Sequence, residues 1–265
     1  ASWYEKNDLN STEMHSFMHA LSAAFDRAWE AKSDWDIFRN IAQVTSEIAK
    51  VHIPLPVKDI VNLPISHDSI GEISQTSVKD WSKGECEPVP GKTMHNIVVQ
   101  ERDYTQIYNK FISLGPNVRN GLGAHGNSYN CSDYYDMMFK DKDHLQEVNG
   151  IMYPSIKEDV EAINAILHLS SLTNGVLANR AYENAEKRTG LKLTDLSEGN
   201  KNVKLNFDDL KSQPRRYINS PVWSGTMGEG KAYAGFTYNI EKSVPWRTLT
   251  GRQHFYLDHE LYIKF

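Results

Sequence analysis

Ser33-Asp34-Trp35-Asp36-Ile37-Phe38-Arg39-Asn40-Ile41-Ala42-Gln43-Val44-Thr45-Ser46-Glu47-Ile48-Ala49-Lys50 is the most regular stretch of the chain. Ser33 is placed as an N-cap, and Asp36 three residues on can close a capping box. Trp35, Phe38, Ile41, Ala42, Thr45 and Ile48 then recur at helical spacing, with Arg39, Asn40, Glu47 and Lys50 outside that stripe. The spacing predicts a helix from Asp34 to about Lys50.

Outward from it the pattern alternates between helices and irregular chain. Thr12 to Ala24 reads as a shorter helix with Met14, Phe17, Met18 and Leu21 on one side. Five prolines and no sustained period lie between Pro54 and Pro90, which predicts a long extended excursion over a neighbouring surface. Glu101 to Leu114 carries a stripe of Tyr104, Ile107, Tyr108 and Phe111, ended by Gly115-Pro116. Residues 117–150 are rich in Gly, Asn and Asp, with a short helix expected near Asp133–Lys140. Ser155-Ile156-Lys157-Glu158 reads as a second capping box, opening a helix to about Ser170 on Ile156, Val160, Ile163, Ile166 and Leu167. Asn174-Gly175 breaks it, and Val176 to Arg188 resumes with Gly190 as the stop. Strands are expected at Asn202–Phe207, Tyr233–Tyr238 and Trp246–Tyr256. The fold class is mixed α/β.

Composition narrows the function. The 265 residues are 40% hydrophobic and 24% charged, which is enough to bury a core and excludes disorder over the whole length. A net charge of −5 argues against a general electrostatic grip on nucleic acid, and no apolar run reaches a membrane span. Two cysteines, Cys86 and Cys131, make neither a disulfide scaffold nor a thiolate cluster, so a reduced setting is expected. The chain opens on Ala1-Ser2-Trp3 and stops at Ile263-Lys264-Phe265, and both ends read as cuts through a larger protein.

Each chemical motif has a plainer reading beside it. His15 and His19 share a helical face, as two zinc ligands do, yet Ser16 stands where a metalloprotease has glutamate and no third ligand follows; packing histidines account for them. Gly121-Leu122-Gly123-Ala124-His125-Gly126 matches GxGxxG without a strand before it or a helix after it, and reads as a turn. In Thr250-Gly251-Arg252-Gln253-His254, a hydroxyl, a backbone N–H and a guanidinium fork can meet one anion. His254 and His259 can donate ring N–H groups to a polar heterocycle. A strand and turn with a surface arginine fits the same spacing.

A set of longer segments is more specific. Trp3-Tyr4-Glu5-Lys6-Asn7-Asp8-Leu9-Asn10, Met14-His15-Ser16-Phe17 and Ala28-Trp29-Glu30-Ala31-Lys32-Ser33-Asp34-Trp35 come first. Val78-Lys79-Asp80-Trp81, Lys83-Gly84-Glu85-Cys86 and Pro90-Gly91-Lys92-Thr93 follow. Ser220-Pro221-Val222-Trp223-Ser224-Gly225 and Pro245-Trp246-Arg247-Thr248-Leu249-Thr250-Gly251-Arg252-Gln253 complete the set. In this order, nearly end to end, the chain resembles the catalytic alpha subunits of respiratory, membrane-bound nitrate reductases, within the molybdopterin oxidoreductases.

The resemblance implies a fragment of a multi-domain α/β enzyme that reduces nitrate to nitrite. The cofactor implied is a molybdenum held by bis-molybdopterin guanine dinucleotide, with a 4Fe-4S cluster whose ligands, like the metal's aspartate, lie outside this chain. Lys6 and Asp34 are implied to contact the dinucleotide, and Thr250, Gly251, Arg252, Gln253, His254 and His259 to line the pterin and its phosphates. Lys6 and Arg252 suit phosphate, and Asp34 suits the donor edge of guanine. No catalytic or metal-binding residue is assigned within the chain.

The implied domains are 1–50, the end of a molybdopterin-binding domain; 51–150, a loop-rich insertion with one helix; 151–245, a helical pair with strands and loops; and 246–265, the start of a dinucleotide-binding domain. The implied partners are an iron–sulfur beta subunit and a membrane cytochrome b gamma subunit. They would place the protein peripherally at the cytoplasmic face of the cell membrane, with no nucleic acid and no span of its own. Ala20 and Arg27 stand where the family pattern leads one to expect prolines, and residues 117–152 match it poorly. The rival readings are a related molybdoenzyme acting on another oxyanion, and a non-catalytic scaffold in which Trp29, Trp81 and Trp223 anchor a partner.

Overall fold

Ser33 caps the first long helix: its backbone is extended and its hydroxyl accepts the Asp36 amide at 3.2 Å. A computed structural model describes residues 1–11, 18–63, 79–91, 93–120, 122–124, 127–212, 239 and 243–246. The helix, α1, runs Asp34–His52, with Asp34 and Asp36 at its positive end and Lys50 and His52 at its negative end. Of its apolar stripe, however, only Ala42 is fully buried. Ala42, Ser46 and Ala49 are buried, whereas Phe38, Ile41 and Ile48 are 59%, 55% and 54% exposed. Small side chains are selected there because helix α2 (Ile107–Ile112) approaches closely, and the Tyr108 amide donates to Ser46 Oγ at 2.8 Å.

Two units divide the chain: Ala1–Pro54 with Tyr104–Ser243, and Leu55–Asp103 with Val244–Phe265. The first begins with strands β1 (Asp8–Ser11) and β2 (Met18–Leu21), paired antiparallel from Asp8↔Leu21 to Ser11↔Met18. This corrects the helix expected over Thr12–Ala24. Residues 12–17 lie outside the described ones, and beyond them a period of two wins because Met18 enters the core while Ala20 packs beside it.

The second unit holds a hairpin of β3 (Val57–Leu63) and β4 (Asn96–Arg102), in register from Val57↔Arg102 to Leu63↔Asn96. The expected excursion therefore contains a regular strand. Its period was hidden because both faces carry apolar residues, Ile60, Ile97 and Val99 on one and Val57, Val61 and Val98 on the other. Glu101 belongs to β4, so the helix expected from Glu101 forms only after a tight turn at Tyr104–Gln106, as α2.

The first unit continues through α3 (Pro116–Asn120), the short pair β5 (Leu122–Ala124) and β6 (Asn127–Tyr129), and α4 (Ser132–Lys140). The hairpin β7 (Leu145–Val148) and β8 (Ile151–Pro154) turns on Asn149-Gly150, both at positive φ (52° and 80°), as such a two-residue turn requires. Helix α5 (Asp159–Leu169) starts later than expected, because Glu158 and Glu161 form the capping box. Ser155 is buried in a bridge to Ser113 instead. His144 ties the hairpin to α5, with Nδ1 2.9 Å from Asp141 and Nε2 2.7 Å from Glu161. Burial lowers its pKa, but those carboxylates outweigh the effect and raise it.

Helix α6 (Gly175–Thr189) is capped by Asn174, and it ends on Gly190 in the left-handed region at φ 72°. Helices α5 and α6 form the wall between two clusters. Ile163, Leu167 and Ala178 face Met18, Leu205 and Leu210; Ala165 and Leu177 face Leu114, Val118 and Tyr134. Tyr134 stacks on His168 at 4.7 Å, and burial, aided by the charge of Glu161, pushes its hydroxyl up to about 12. Asn202–Phe207 is not a strand. Asn206 and Asp209 bond each other's amides reciprocally and open helix α7 (Phe207–Ser212), leaving one bridge, Asn174↔Lys204. The expected strands at Tyr233–Tyr238 and beyond Trp246 lie outside the described residues. Helices and two-stranded sheets make the architecture mixed α/β.

The 200–205 segment lies against the start of α6, where the Gly175 amide donates to the Val203 carbonyl at 2.7 Å. A Cβ on Gly175 would sit 1.7 Å from the Asn200 carbonyl oxygen, while one on Gly199 would meet nothing within 4 Å. Gly175→Ala is expected to cost more than the about 1–3 kcal/mol of an ordinary overpacked site, and Gly199→Ala far less. Urea unfolding of the intact protein checks this, and equal midpoints for the two variants would refute the packing.

Candidate functional site

Lys6 is a cation that the fold has buried, with 8% of its surface exposed. Burial of an ammonium demands charged partners. Its Nζ lies 2.5 Å from Asp34 Oδ2 and 2.8 Å from Asp8 Oδ2, with the Trp3 ring centroid at 4.7 Å. Asp8 opens β1, and Asp34 begins α1, so the pair fastens a strand end to a helix end. The hydrogen bond to Asp34, then the one to Asp8, raises the Lys6 pKa against the opposing effect of burial. The same bond to Lys6, with its charge, holds the Asp34 carboxyl below its ordinary value.

Beside the pair opens a cavity of about 230 Å³, lined among others by Lys6, Asp34, Asp8, Trp35, Phe38 and Phe111. The Trp35 and Phe111 rings are 5.1 Å apart and tilted by 30°. The Asp34 side chain is 67% exposed, and no described group donates to its Oδ1. The site thus offers a fixed, ionised acceptor beside aromatic walls. It suits a planar heterocycle with an N–H edge. It does not suit an anion, because the Lys6 charge is already taken by two carboxylates.

A second network adjoins this site, and two of its members, Asn7 and Asp159, line the cavity. Arg27 Nη1 bonds Asp36 and Nη2 lies 2.9 Å from Asp159, the first residue of α5. Arg39 Nη2 pairs with Asp36 Oδ1 at 3.1 Å, and Asn7 Nδ2 donates to Asp159 Oδ1 at 3.5 Å. Burial pushes the Asp36 carboxyl up, but hydrogen bonds from Ser33 and Arg27 and the charges of Arg27 and Arg39 outweigh it and hold the group low.

Of the residues singled out by sequence, Lys6 and Asp34 are brought together, while Thr250, Gly251, Arg252, Gln253, His254 and His259 lie outside the described residues. His15 and Trp223 lie outside them too, and His19 sits in β2, where helical spacing has no meaning. Leu122–Ala124, expected as part of a turn, is strand β5 paired antiparallel with β6, and Gly121, His125 and Gly126 lie outside the described residues. Trp29 is fully exposed at a positive φ of 48°, and Trp81 is 39% exposed. Cys131 is buried, which pushes its thiol pKa up, and Cys86 is half-buried. Among the described residues no group of His, Cys, Asp or Glu is placed to hold a metal ion, and no helix is long and apolar enough to cross a membrane. Sequence reading missed Asp8 and Asp159. Asp8 had a local signal, two residues beyond Lys6, but Asp159 arrives through tertiary folding alone.

Asp34 contributes stability that is present above the ordinary carboxylate range and lost as pH falls through its depressed value. Lys6→Met is expected to flatten the acid limb of the stability profile below about pH 4, where an ordinary aspartate begins to protonate. Its loss at neutral pH should fall short of the about 3–5 kcal/mol of a fully buried broken pair, because Asp34, 67% exposed, can rehydrate. Urea titrations across that range test this; an unchanged acid limb would show that Lys6 does not govern Asp34.

Comparison with known proteins gives the site its context. Residues 120–241 match the family described as nitrate reductase alpha chain, domain V, and residues 1–44 match molybdopterin oxidoreductase. The chain is 44% identical over 272 residues to the nitrate reductase alpha chain of Bacillus subtilis (strain 168), covering 100% of this chain and 22% of that protein. It is 43% identical over 263 residues to the respiratory nitrate reductase 1 alpha chain of Escherichia coli (strain K12), covering 98% and 21%. A perchlorate reductase subunit alpha of Dechloromonas aromatica (strain RCB) is 23% identical over 262 residues, covering 99% and 17%. The chain spans about a fifth of the length of the first two. It belongs to the nitrate reductase alpha-chain family of the molybdopterin oxidoreductases.

Proposed function

We propose that this chain is part of the catalytic subunit of a molybdenum-dependent respiratory nitrate reductase, and that it supplies walls of the cofactor site without supplying the metal's ligand. The observation that carries the reading is the meeting of Lys6 and Asp34 at the mouth of an aromatic-lined cavity. Similarity at 44% to a nitrate reductase alpha chain, against 23% to a perchlorate reductase subunit, favours nitrate over another oxyanion.

The cavity fits the guanine end of a molybdopterin guanine dinucleotide. Asp34 Oδ1 is the acceptor that the N1–H and exocyclic N–H groups of guanine require, as carboxylates do in base recognition. Lys6 holds Oδ2, which fixes the carboxylate's orientation and keeps it ionised at neutral pH. Trp35, Phe38 and Phe111 give the base an apolar wall and exclude water. Asp8 and Asp34 repel phosphate, so the base and not the pyrophosphate enters here. The phosphates and pterin fall to Thr250, Gly251, Arg252, Gln253, His254 and His259.

When bound, the molybdenum group supplies the electrons and oxygen-atom acceptance that turn nitrate into nitrite. Lys6 and Asp34 contribute binding and orientation only. On this reading the full subunit also carries a 4Fe-4S cluster and works with an iron–sulfur beta subunit and a cytochrome b gamma subunit at the cytoplasmic face of the membrane.

The test is made on the full-length subunit. Molybdenum and iron in the purified protein, with nitrate-dependent oxidation of a reduced dye, are the expected result; a metal-free, inactive protein would overturn the assignment. Asp34→Asn exchanges an acceptor for a mixed donor and acceptor, and should lower the guanosine monophosphate released by acid hydrolysis by about tenfold, as losing a charged hydrogen bond implies. Unchanged nucleotide content would remove Asp34 from the site.

A further inference from the structure

Arg27 is not among the residues that line the cavity, yet its side chain closes a ring of contacts that includes Lys6, Asp34, Asn7 and Asp159 of the lining. From Lys6 the ring passes to Asp34, then within the first turn of α1 to Asp36, which bonds Arg27 Nη1. Arg27 Nη2 passes it at 2.9 Å to Asp159, which accepts from Asn7 Nδ2 at 3.5 Å, and Asn7 adjoins Lys6. Asn7 Oδ1 accepts the Ala23 amide at 3.2 Å, so the segment leading to Arg27 is pinned to the same point.

The physical problem at this point is that two helix N-termini converge, those of α1 and α5, each with a partial positive charge. Each carries two carboxylates in its first turn, Asp34 and Asp36 on α1 and Asp159 and Glu161 on α5, and Asp36 and Asp159 would repel one another without a cation between them. Arg27 supplies it. A guanidinium reaches both with separate nitrogens in a fixed plane, which a lysine ammonium cannot do. The Asp36 and Asp159 side chains are 19% and 11% exposed, so water shields the contacts weakly.

We propose that Arg27 is a positioning residue for the cofactor site: by clamping the first turns of α1 and α5 together it fixes where Asp34 presents its carboxylate relative to Lys6. The inference rests on the reading of Asp34 as a base-binding residue. It assigns a role to a residue that has no contact with the cavity and that sequence reading noted only as a departure from the family pattern.

The experiment uses the full-length subunit and measures guanosine monophosphate released per subunit in the wild type, Arg27→Gln, Arg27→Lys, Asp34→Asn and the Arg27→Gln/Asp34→Asn double variant. Arg27→Gln should lower retention by about 2- to 150-fold, the range of coupling between residues of one network. Arg27→Lys should fall between Arg27→Gln and the wild type. In the Asp34→Asn background, Arg27→Gln should have no further effect, because the group it positions is gone. An equal loss in both backgrounds would make Arg27 merely structural and overturn the proposal. Normal retention in Arg27→Gln alongside loss in Asp34→Asn would overturn it while leaving the base-binding reading intact. Normal retention in Asp34→Asn would overturn both. If Arg27→Gln does not fold, Arg27→Lys alone and in the Asp34→Asn background carries the same comparison.

Discussion

A lysine amine taken out of water must find carboxylates, and that requirement organises the first unit. Lys6 is buried, and its partners come from opposite directions, Asp8 on the strand that follows and Asp34 on the helix that starts after a long irregular stretch. Neither carboxylate needs Lys6 to stay soluble, since they are 36% and 67% exposed. Lys6 needs them. The dependence runs one way, so the lysine fixes where the helix begins more than the helix fixes the lysine. The capping of α1 by Ser33 and the Arg27 clamp then make that start reproducible.

Helix α1 shows what happens when position is set by its ends. Its small residues face α2, where close approach and a hydrogen bond to Ser46 leave no room for bulk. Its isoleucines and Phe38 are left on open faces, and Phe38 lines the cavity. A helix held only by its apolar stripe would have turned that stripe inward. Here charge pairing at the N-terminus and close packing along the middle decide the rotation, and an aromatic edge at the site follows from it.

How much of this was legible in the sequence depends on the range of the cause. Caps act within a turn, so Ser33 and Gly190 could be placed directly, whereas Asn174, read as a break, is the N-cap of α6. A capping box with the wrong member misled by three residues, because Ser155-x-x-Glu158 and Glu158-x-x-Glu161 both fit the pattern and only burial of Ser155 separates them. The β1–β2 ribbon escaped because four residues of strand look like one turn of helix until their partner is known. Hairpin β3–β4 escaped for a different reason, its two apolar faces cancelling the alternation. The site divides in the same way: Lys6 and Asp34 came from the family-like segments, whereas Asp159 comes from 152 residues away from Asn7 and has no local signature.

Charge balance then explains why this site suits a donor and not an anion. Around the cavity and its brace stand Lys6, Arg27 and Arg39 against Asp8, Asp34, Asp36 and Asp159. One carboxylate is in excess. The most buried of the four, Asp159 and Asp36, are the ones that Arg27 bridges, and desolvation demands full pairing there. The shortfall therefore falls on the two carboxylates that share Lys6, Asp8 and Asp34, of which Asp34 is the one more open to water. A carboxylate that shares its one cation and is held in one orientation beside aromatic rings attracts an N–H edge and repels phosphate. The selectivity of the site is thus a consequence of how the fold distributes its pairing, with the buried carboxylates satisfied first and the remainder left to bind.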